Sequence, residues 1–254
     1  MITFEGEKRS IVLPTFSLII PTYNEEQQID TTLQYVLEYL KKQPYSFEIV
    51  VADDGSKDNT VQQVQKWVEQ YPEQVKVVPL PKNRGKGYAV REAMLHHTNG
   101  SIRCFYDADA STPIEEIDKL IQELNEGYDI AIASRAMPKS VIEIPQPLYR
   151  QMMGKIYNLI LRIFGLTNFN DTQCGCKCFN EKSVNIVFPR QTLSRFSFDV
   201  EILFIAERHN LKIKEVPTRW RNRKESRVHP IKDSFKMFCD LFKIRWNAFT
   251  GKYN

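Results

Sequence analysis

Phe105-Tyr106-Asp107-Ala108-Asp109-Ala110-Ser111-Thr112-Pro113 (FYDADASTP) follows a strand-like run through Ile102 and Cys104 and precedes a stretch with helix-start chemistry. Side chains alternate faces in an extended segment, so two acids two positions apart point the same way. Thr112 is expected to cap a helix, with Pro113 in its first turn and Glu115 and Glu116 close behind. Side by side, two carboxylates repel. A divalent cation turns that repulsion into binding, and hard-cation sites that carry phosphates use one or two carboxylates. Ligands of open α/β sheets collect at the carboxyl ends of the strands, which is where this pair falls.

The same pattern recurs on both sides. Upstream, FSLII (Phe16 to Ile20) reads as a buried strand ending at Pro21, and Ile29, Leu33, Val36, Leu37 and Leu40 recur at helical spacing. FEIVVA (Phe47 to Ala52) is a second strand ending in Asp53-Asp54-Gly55-Ser56, followed by a helix through Val64, Trp67 and Val68. Val75 to Leu80 is a third strand, and Asn83-Arg84-Gly85-Lys86-Gly87 opens a helix over Tyr88 to His97. Downstream come a helix over Ile117 to Leu124 and a strand from Ile130 to Ser134. Strands alternating with helices through short connections predict an α/β fold, a mostly parallel sheet covered on both faces.

From residue 136 the texture changes. A Pro-rich loop (MPKSVIEIPQP) leads into LYRQMMGKIYNLILRIFGL, an amphipathic helix with an unusually apolar body interrupted by Arg150, Lys155 and Arg162. CGCKCF reads as a strand, Phe198 to His209 as a helix and Lys212 to Pro217 as a final strand. SFKMFCDLFKIRWNAF repeats the apolar-basic mixture near the end. Each of the two mixed helices reads either as a core helix or as one lying in a bilayer interface with its basic groups at the headgroups.

The 254 residues suffice for one large α/β domain, and a hydrophobic content of 42% with 26% charged residues excludes general disorder. No apolar run approaches the roughly 18 residues of a spanning helix. The opening MITFEGEKRS is polar and is not read as a targeting segment, and five cysteines, an odd number, suit a reducing cytosolic compartment. From Arg208 onward 13 Lys and Arg face 4 Asp and Glu, whereas the rest of the chain has 22 against 27. A basic tail on an acidic body predicts an anionic partner.

Several chemistries are disfavoured. Cys174, Cys176 and Cys178 alternate without zinc spacing or a nearby His, and are expected as small buried side chains. The glycines at Asn83–Gly87 match neither a hydrolytic phosphate loop nor a dinucleotide fingerprint. RWRNRKESRVH fits nucleic acid by charge, but that reading leaves the acid pair unexplained, so no nucleic-acid partner is expected. Asp53 and Asp54 could accept hydrogen bonds from a base or ribose, although an Asx-turn accounts for one of them equally well.

PTYNEE, VVADDGSKDNT, NRGKGYAVREAM and YDADAS, in this order and spacing, resemble glycosyltransferase family 2, the inverting enzymes of GT-A fold. DTQCGCKCF, FSFDVEILFIAERHNLKIKEVPTRW and ESRV resemble its dolichyl- and polyprenyl-phosphate glucosyltransferase branch. The resemblance spans roughly residues 15 to 250. It implies transfer of a hexose, glucose favoured, from a nucleotide sugar, UDP-glucose favoured, to a polyprenyl or dolichyl phosphate. Pro21, Tyr23 and Glu25 would line the nucleoside pocket with Asp53 or Asp54 on the base, and Lys86 would lie near the nucleotide. Asp107, Ala108 and Asp109 would meet the donor, the two acids holding Mg²⁺ or Mn²⁺. Arg135 and Arg150 would receive the acceptor phosphate, with Asp171 and Gln173 beside the sugar. Trp220, Ser226 and Arg227 would belong to a loop closing over the donor.

The implied organisation is a single domain over 1–254, with a nucleotide-sugar half (15–135), an acceptor half (136–230) and an amphipathic basic segment (231–254). The implied location is cytoplasmic and peripheral, at a membrane surface. Two alternatives stay open: a hydroxyl acceptor with Asp171 as general base, and a non-catalytic nucleotide- or lipid-binding module. A lipid phosphate is already anionic, so it needs orientation and charge shielding more than deprotonation, and arginine forks suit it.

Overall fold

The computed structural model of the chain describes residues 16–223 and 230–254. Its elements run β1 (Phe16–Thr22), α1 (Ile29–Leu40), β2 (Phe47–Asp53), α2 (Thr60–Gln70), β3 (Val75–Pro79), α3 (Lys86–Glu92), β4 (Ile102–Tyr106), α4 (Ile117–Asn125) and β5 (Ile130–Ser134). Then come β6 (Val141–Ile144), α5 (Leu148–Ile163), β7 (Cys176–Asn180), α6 (Glu181–Arg190), α7 (Phe198–Arg208), β8 (Ile213–Pro217), β9 (Arg219–Arg221) and α8 (Pro230–Phe249).

Seven strands form the central sheet in the order β3-β2-β1-β4-β7-β5-β8. All neighbours are parallel except β7, which runs antiparallel between β4 and β5. Near-continuous apolar runs such as FSLII are the signature of strands covered on both faces, and alternate residues divide between two cores. Leu18, Ile20, Ile49, Val51 and Cys104 pack with α1, α2 and α4 on one face. Ile19, Val50, Phe105, Ile132 and Phe179 pack with α3, α6 and α7 on the other, joined by Leu161 of α5 and Leu241 and Ile244 of α8. β1 extends past Ile20: Pro21 pairs with Ala52, while pairing with β4 ends at Ile19, so its missing N–H costs no bond on that side.

The structure departs from the sequence expectations at identifiable points. The acid pair is not in an extended segment. β4 stops at Tyr106, and Asp107 to Ala110 make a turn closed by Ala110 N–H on the Asp107 carbonyl at 3.1 Å, with Ala110 at φ 49°. Thr112 does not cap the next helix, because its carbonyl accepts from the Tyr106 hydroxyl and its own hydroxyl lies 3.7 Å from the Cys174 sulfur. Pro113 leads instead into a 3₁₀ turn at Ile114–Glu116 before α4. The helix after Gly85 is α only to Glu92 and finishes as a π turn over Ala93–His97.

The Pro-rich stretch contains β6, which pairs with β9 in a separate two-stranded sheet. α6 was not expected; Asn180 caps it by accepting from Ser183 N–H at 2.8 Å, and Pro189 near its end obscures its helical pattern. Cys174, Cys176 and Cys178 are buried in the same core as Cys104 and form no disulfide.

Candidate active site

Parallel strands end at one edge of a sheet, and the turns after β1, β2, β4 and β5 therefore converge. A cleft of about 430 Å³ opens there, lined by Pro21, Tyr23 and Glu25 after β1, Asp54 after β2, Asp107 to Asp109 after β4 and Arg135 after β5. Lys86 from α3, Arg150 from α5, Gln173 before β7 and Trp220 of β9 complete the set anticipated from the sequence. Asp53 and Asp171 are not on the lining. Ser226 and Arg227 lie outside the described residues.

The two neighbouring acids after β2 have different surroundings. Asp53 is turned inward: its carboxylate accepts from Ser56 N–H at 2.9 Å, from the Ser56 hydroxyl, and from Thr22 Oγ1 at 3.2 Å. Asp54 faces the cleft while accepting from the N–H groups of Arg84 at 2.8 Å and Gly85 at 2.7 Å. Burial outweighs those bonds and raises its carboxyl above the ordinary range. Gly85 has φ 113°, and a Cβ there would lie 2.3 Å from the Ser194 carbonyl oxygen, so only glycine admits this approach.

Around the acid pair, Asp107 N–H donates to the Gly175 carbonyl at 2.9 Å, and Lys86 Nζ lies 2.6 Å from Asp107 Oδ1. A Cβ on Gly175 would sit 1.8 Å from Asp107 Oδ2; the glycine leaves the space that this carboxylate fills. Burial, then the neighbouring Asp107 charge, raises the Asp109 carboxyl, although Ser111 N–H donates to it at 2.9 Å. Burial would lower the Lys86 ammonium, but the Asp107 charge and then that of Asp199 outweigh it, so it stays protonated.

Two carboxylates against one ammonium leave net negative charge on hard oxygen donors. That donor set fits Mg²⁺ or Mn²⁺ when the rest of the coordination shell comes from substrate phosphate and water. Among the described residues no group of three or more His, Cys, Asp or Glu side chains gathers to hold a metal by itself.

Arg135, also on the lining, is tied to Asp171. Its backbone N–H and Nε donate to Oδ2 at 2.9 and 2.6 Å, and Nη2 donates to Oδ1 at 2.8 Å. Burial alone would raise the Asp171 carboxyl, but the Arg135 charge and hydrogen bonds bring it down to about 2. The guanidinium also lies 5.3 Å from the Trp220 ring centre. Trp220 is steadied from behind: Arg219 Nε donates to Glu116 Oε1 at 2.7 Å, and Arg221 N–H donates to the Ser111 carbonyl at 2.9 Å. Arg150 lines the cleft at the start of α5, between exposed Leu148, Tyr149 and Met152.

Arg195, Phe196, Gln146, Arg223 and Asp233 also line the cleft and were not anticipated. Arg195 and Phe196 lie on the loop before α7, whose Thr192 and Leu193 N–H groups donate to buried Glu201 at 3.0 and 2.7 Å. An irregular loop has no periodicity to reveal such residues; an arginine between Ser194 and Phe196 was the only local signal.

Comparison with known proteins agrees with this geometry. The family described as Glycosyl transferase family 2 matches residues 17–187. A dolichyl-phosphate beta-glucosyltransferase of Saccharomyces cerevisiae is 35% identical over 254 residues, covering 93% of this chain and 76% of the yeast protein. The Homo sapiens protein of the same name is 30% identical over 249 residues, covering 93% and 76%. Among solved structures, glucosyl-3-phosphoglycerate synthase from Mycobacterium tuberculosis in complex with Mn²⁺, UDP-glucose and phosphoglyceric acid superposes with a TM-score of 0.65 at 16% identity. That alignment covers 94% of this chain and 80% of the mycobacterial one, a likeness of fold. The sheet order, the cleft at its carboxyl edge and these matches together establish that the chain belongs to glycosyltransferase family 2 and is a glycosyltransferase.

Proposed function

We propose that this glycosyltransferase moves glucose from UDP-glucose to the phosphate of a dolichol or another polyprenol, working from the cytoplasmic side of a membrane. The observation that carries the reading is a single cleft lined both by the Asp107–Asp109 pair with Lys86 and by Arg135 and Arg150. The name shared by the yeast and human relatives supports glucose and dolichyl phosphate. UDP-glucose and Mn²⁺, present in the mycobacterial structure, suit the hard oxygen donors and cleft volume found here.

Asp107 and Asp109 would hold Mg²⁺ or Mn²⁺. When bound, the cation offsets the charge that develops on the departing diphosphate; a unit charge pair at ~4 Å is worth ~4 kcal/mol at an effective dielectric of 20. Lys86 adds a fixed positive charge on the same side. Of the residues lining the cleft, Pro21, Tyr23, Glu25 and Asp54 would serve the nucleoside, and Gln173 and Trp220 the sugar. On this reading the described residues up to 135 supply most of the donor side and those from 136 to 223 most of the acceptor side, with Gln173 and Trp220 reaching across to the sugar.

Arg135 and Arg150 orient the acceptor phosphate, whose oxygen is already charged and attacks without a base. The alternative with a hydroxyl acceptor needs Asp171 as a proton acceptor. A carboxylate that is doubly paired to Arg135 and held at about 2 is a poor base at neutral pH, which favours the phosphate acceptor.

The membrane part rests on α5 and α8. Leu148, Met152, Ile156, Leu159 and Ile163 of α5 and Phe235, Phe242, Trp246 and Phe249 of α8 are all exposed. Phe164, just after α5, meets Phe242 at 4.9 Å between ring centres, joining the two helices into one apolar surface. Among the described residues no helix is long and apolar enough to cross a membrane. A surface of this kind, edged by Lys155, Arg162 and Lys243, suits the interface of an anionic leaflet and would bring the lipid phosphate to Arg150.

The test is transfer from radiolabelled UDP-glucose to dolichyl phosphate and undecaprenyl phosphate in Mn²⁺ buffer, with Asp109→Asn alongside. Labelled glycolipid that depends on both cation and Asp109 is the expected product. Preference for GDP-mannose, or transfer only to hydroxyl acceptors, overturns the assignment.

A further inference from the structure

Beneath the acid pair lies a second pair of charges that the proposed reaction leaves unused. Lys177 on β7 is fully buried, and its Nζ donates to Asp199 Oδ1 at 2.5 Å and to the Cys174 carbonyl at 2.7 Å. Asp199, in the first turn of α7, is only 2% exposed. The Lys177 ammonium is 5.0 Å from the Phe105 ring centre and the Lys86 ammonium 5.7 Å from the same ring; Lys86 also lies 5.9 Å from the Phe198 ring centre. Both lysines and Asp199 therefore crowd around one aromatic floor. The Asp199 charge favours the protonated Lys86, and Lys86 in turn favours the charged Asp199. The result is a row of alternating charges, Lys177, Asp199, Lys86 and Asp107, that ends in Asp109.

Taking two ions out of water carries a penalty that their mutual attraction only offsets, and an apolar contact would join β7 to α7 at lower cost. The row has a functional consequence because Lys86 and a dication compete for the same carboxylate. Lys86 Nζ sits 2.6 Å from Asp107 Oδ1, one of the oxygens a cation would use. After Asp107, Asp199 is the strongest negative charge acting on Lys86, ahead of Asp109, and Lys177 governs how much of that charge Lys86 feels.

We propose that Asp199 and Lys177 are positioning residues that set how readily Lys86 yields Asp107, and thereby tune the affinity of the acid pair for a divalent cation. The inference rests on the cation reading given under the proposed function. It predicts effects of opposite sign. Without the Asp199 charge, Lys86 is held by the acid pair alone and Lys177 is left unneutralised, so cation binding weakens. Without the Lys177 charge, Asp199 draws Lys86 away and the local potential becomes more negative, so cation binding tightens. A contact that merely held β7 against α7 would, when broken in either way, loosen the floor and weaken binding in both cases.

The experiment measures Mn²⁺ alone binding to the whole chain by water-proton relaxation enhancement, with circular dichroism to verify folding. Asp199→Asn is expected to raise the Mn²⁺ dissociation constant about tenfold and Lys177→Met to lower it about tenfold. Either single change leaves a buried charge unpaired and can unfold the chain, so the double variant Asp199→Asn/Lys177→Met is measured as well. It keeps the net charge but removes the second partner of Lys86, and is expected to bind Mn²⁺ about threefold more weakly than the unaltered chain. Single variants that shift binding in the same direction, or a double variant indistinguishable from the unaltered chain, overturn the inference alone. Asp109→Asn separates the two levels. If the unaltered chain binds no Mn²⁺, or Asp109→Asn binds it equally well, the cation reading fails and this inference with it.

Discussion

Replacing Asp171 with Asn removes one charge from the Arg135 pair while keeping the side chain's shape. Arg135 makes three hydrogen bonds to this carboxylate, and Gln173 N–H adds a fourth at 3.1 Å. The Asp171 carboxyl is brought from an ordinary 3.8 to about 2, a difference equivalent to about 2.5 kcal/mol of preference for the charged form. The variant also leaves Arg135, three-quarters buried, without its counter-charge, and breaking a buried pair from one side costs about 3–5 kcal/mol. We therefore expect Asp171→Asn to lose about 3 kcal/mol in urea denaturation at pH 7. The sign with pH follows from the depressed carboxyl. Its contribution is complete above about pH 5, where the unfolded carboxylate is also charged, and is lost as pH falls through the folded value of about 2. The gap between parent and variant should therefore narrow progressively below about pH 5. Turnover should fall because Arg135 is displaced, without loss of a base limb from the pH–rate profile. Unchanged stability together with abolished turnover would mean that Asp171 acts chemically and that the pair is incidental.

Gly175→Ala would place a Cβ 1.8 Å from Asp107 Oδ2; it should fold, yet weaken Mn²⁺-dependent UDP binding at least tenfold by calorimetry, and unchanged binding would show that the backbone yields easily. Arg150→Ala should raise the KM for the lipid phosphate about tenfold with little change for the nucleotide sugar, because Arg150 lies on the α5 side of the cleft; steady-state kinetics with each substrate varied would reveal the reverse if it served the donor. Leu159→Asp with Phe242→Asp should abolish sedimentation with anionic vesicles while changing stability by no more than about 0.5 kcal/mol per site, since both side chains are more than half exposed. A large loss of stability there would instead mark α5 and α8 as packed against protein.

Much of the lining around the acid pair was legible along the chain. Asp54, Lys86, Asp107 and Asp109 all follow recognisable strand ends and turn residues, and such punctuation is local. The rest of the lining was less so. Its groups come from the loop after β5, the start of α5, the loop before α7 and β9, which have no shared period. Even at the acid pair, spacing alone suggested one face of an extended strand, whereas a turn after Tyr106 presents the carboxylates. A strand's end depends on where its neighbour stops pairing, and β7 meets β4 only up to Tyr106.

The order of buried strands and amphipathic helices, and with it the parallel sheet and its functional edge, was determined by sequence alone, since apolar periodicity is written residue by residue. Tertiary structure decided the antiparallel entry of β7 between β4 and β5, the seat of Asp107 against Gly175, and which acids already have a cation beside them. Asp171 meets Arg135 across 36 residues and Lys177 meets Asp199 across 22. Charge states in a low-dielectric interior depend on such distant partners, and no local pattern encodes them.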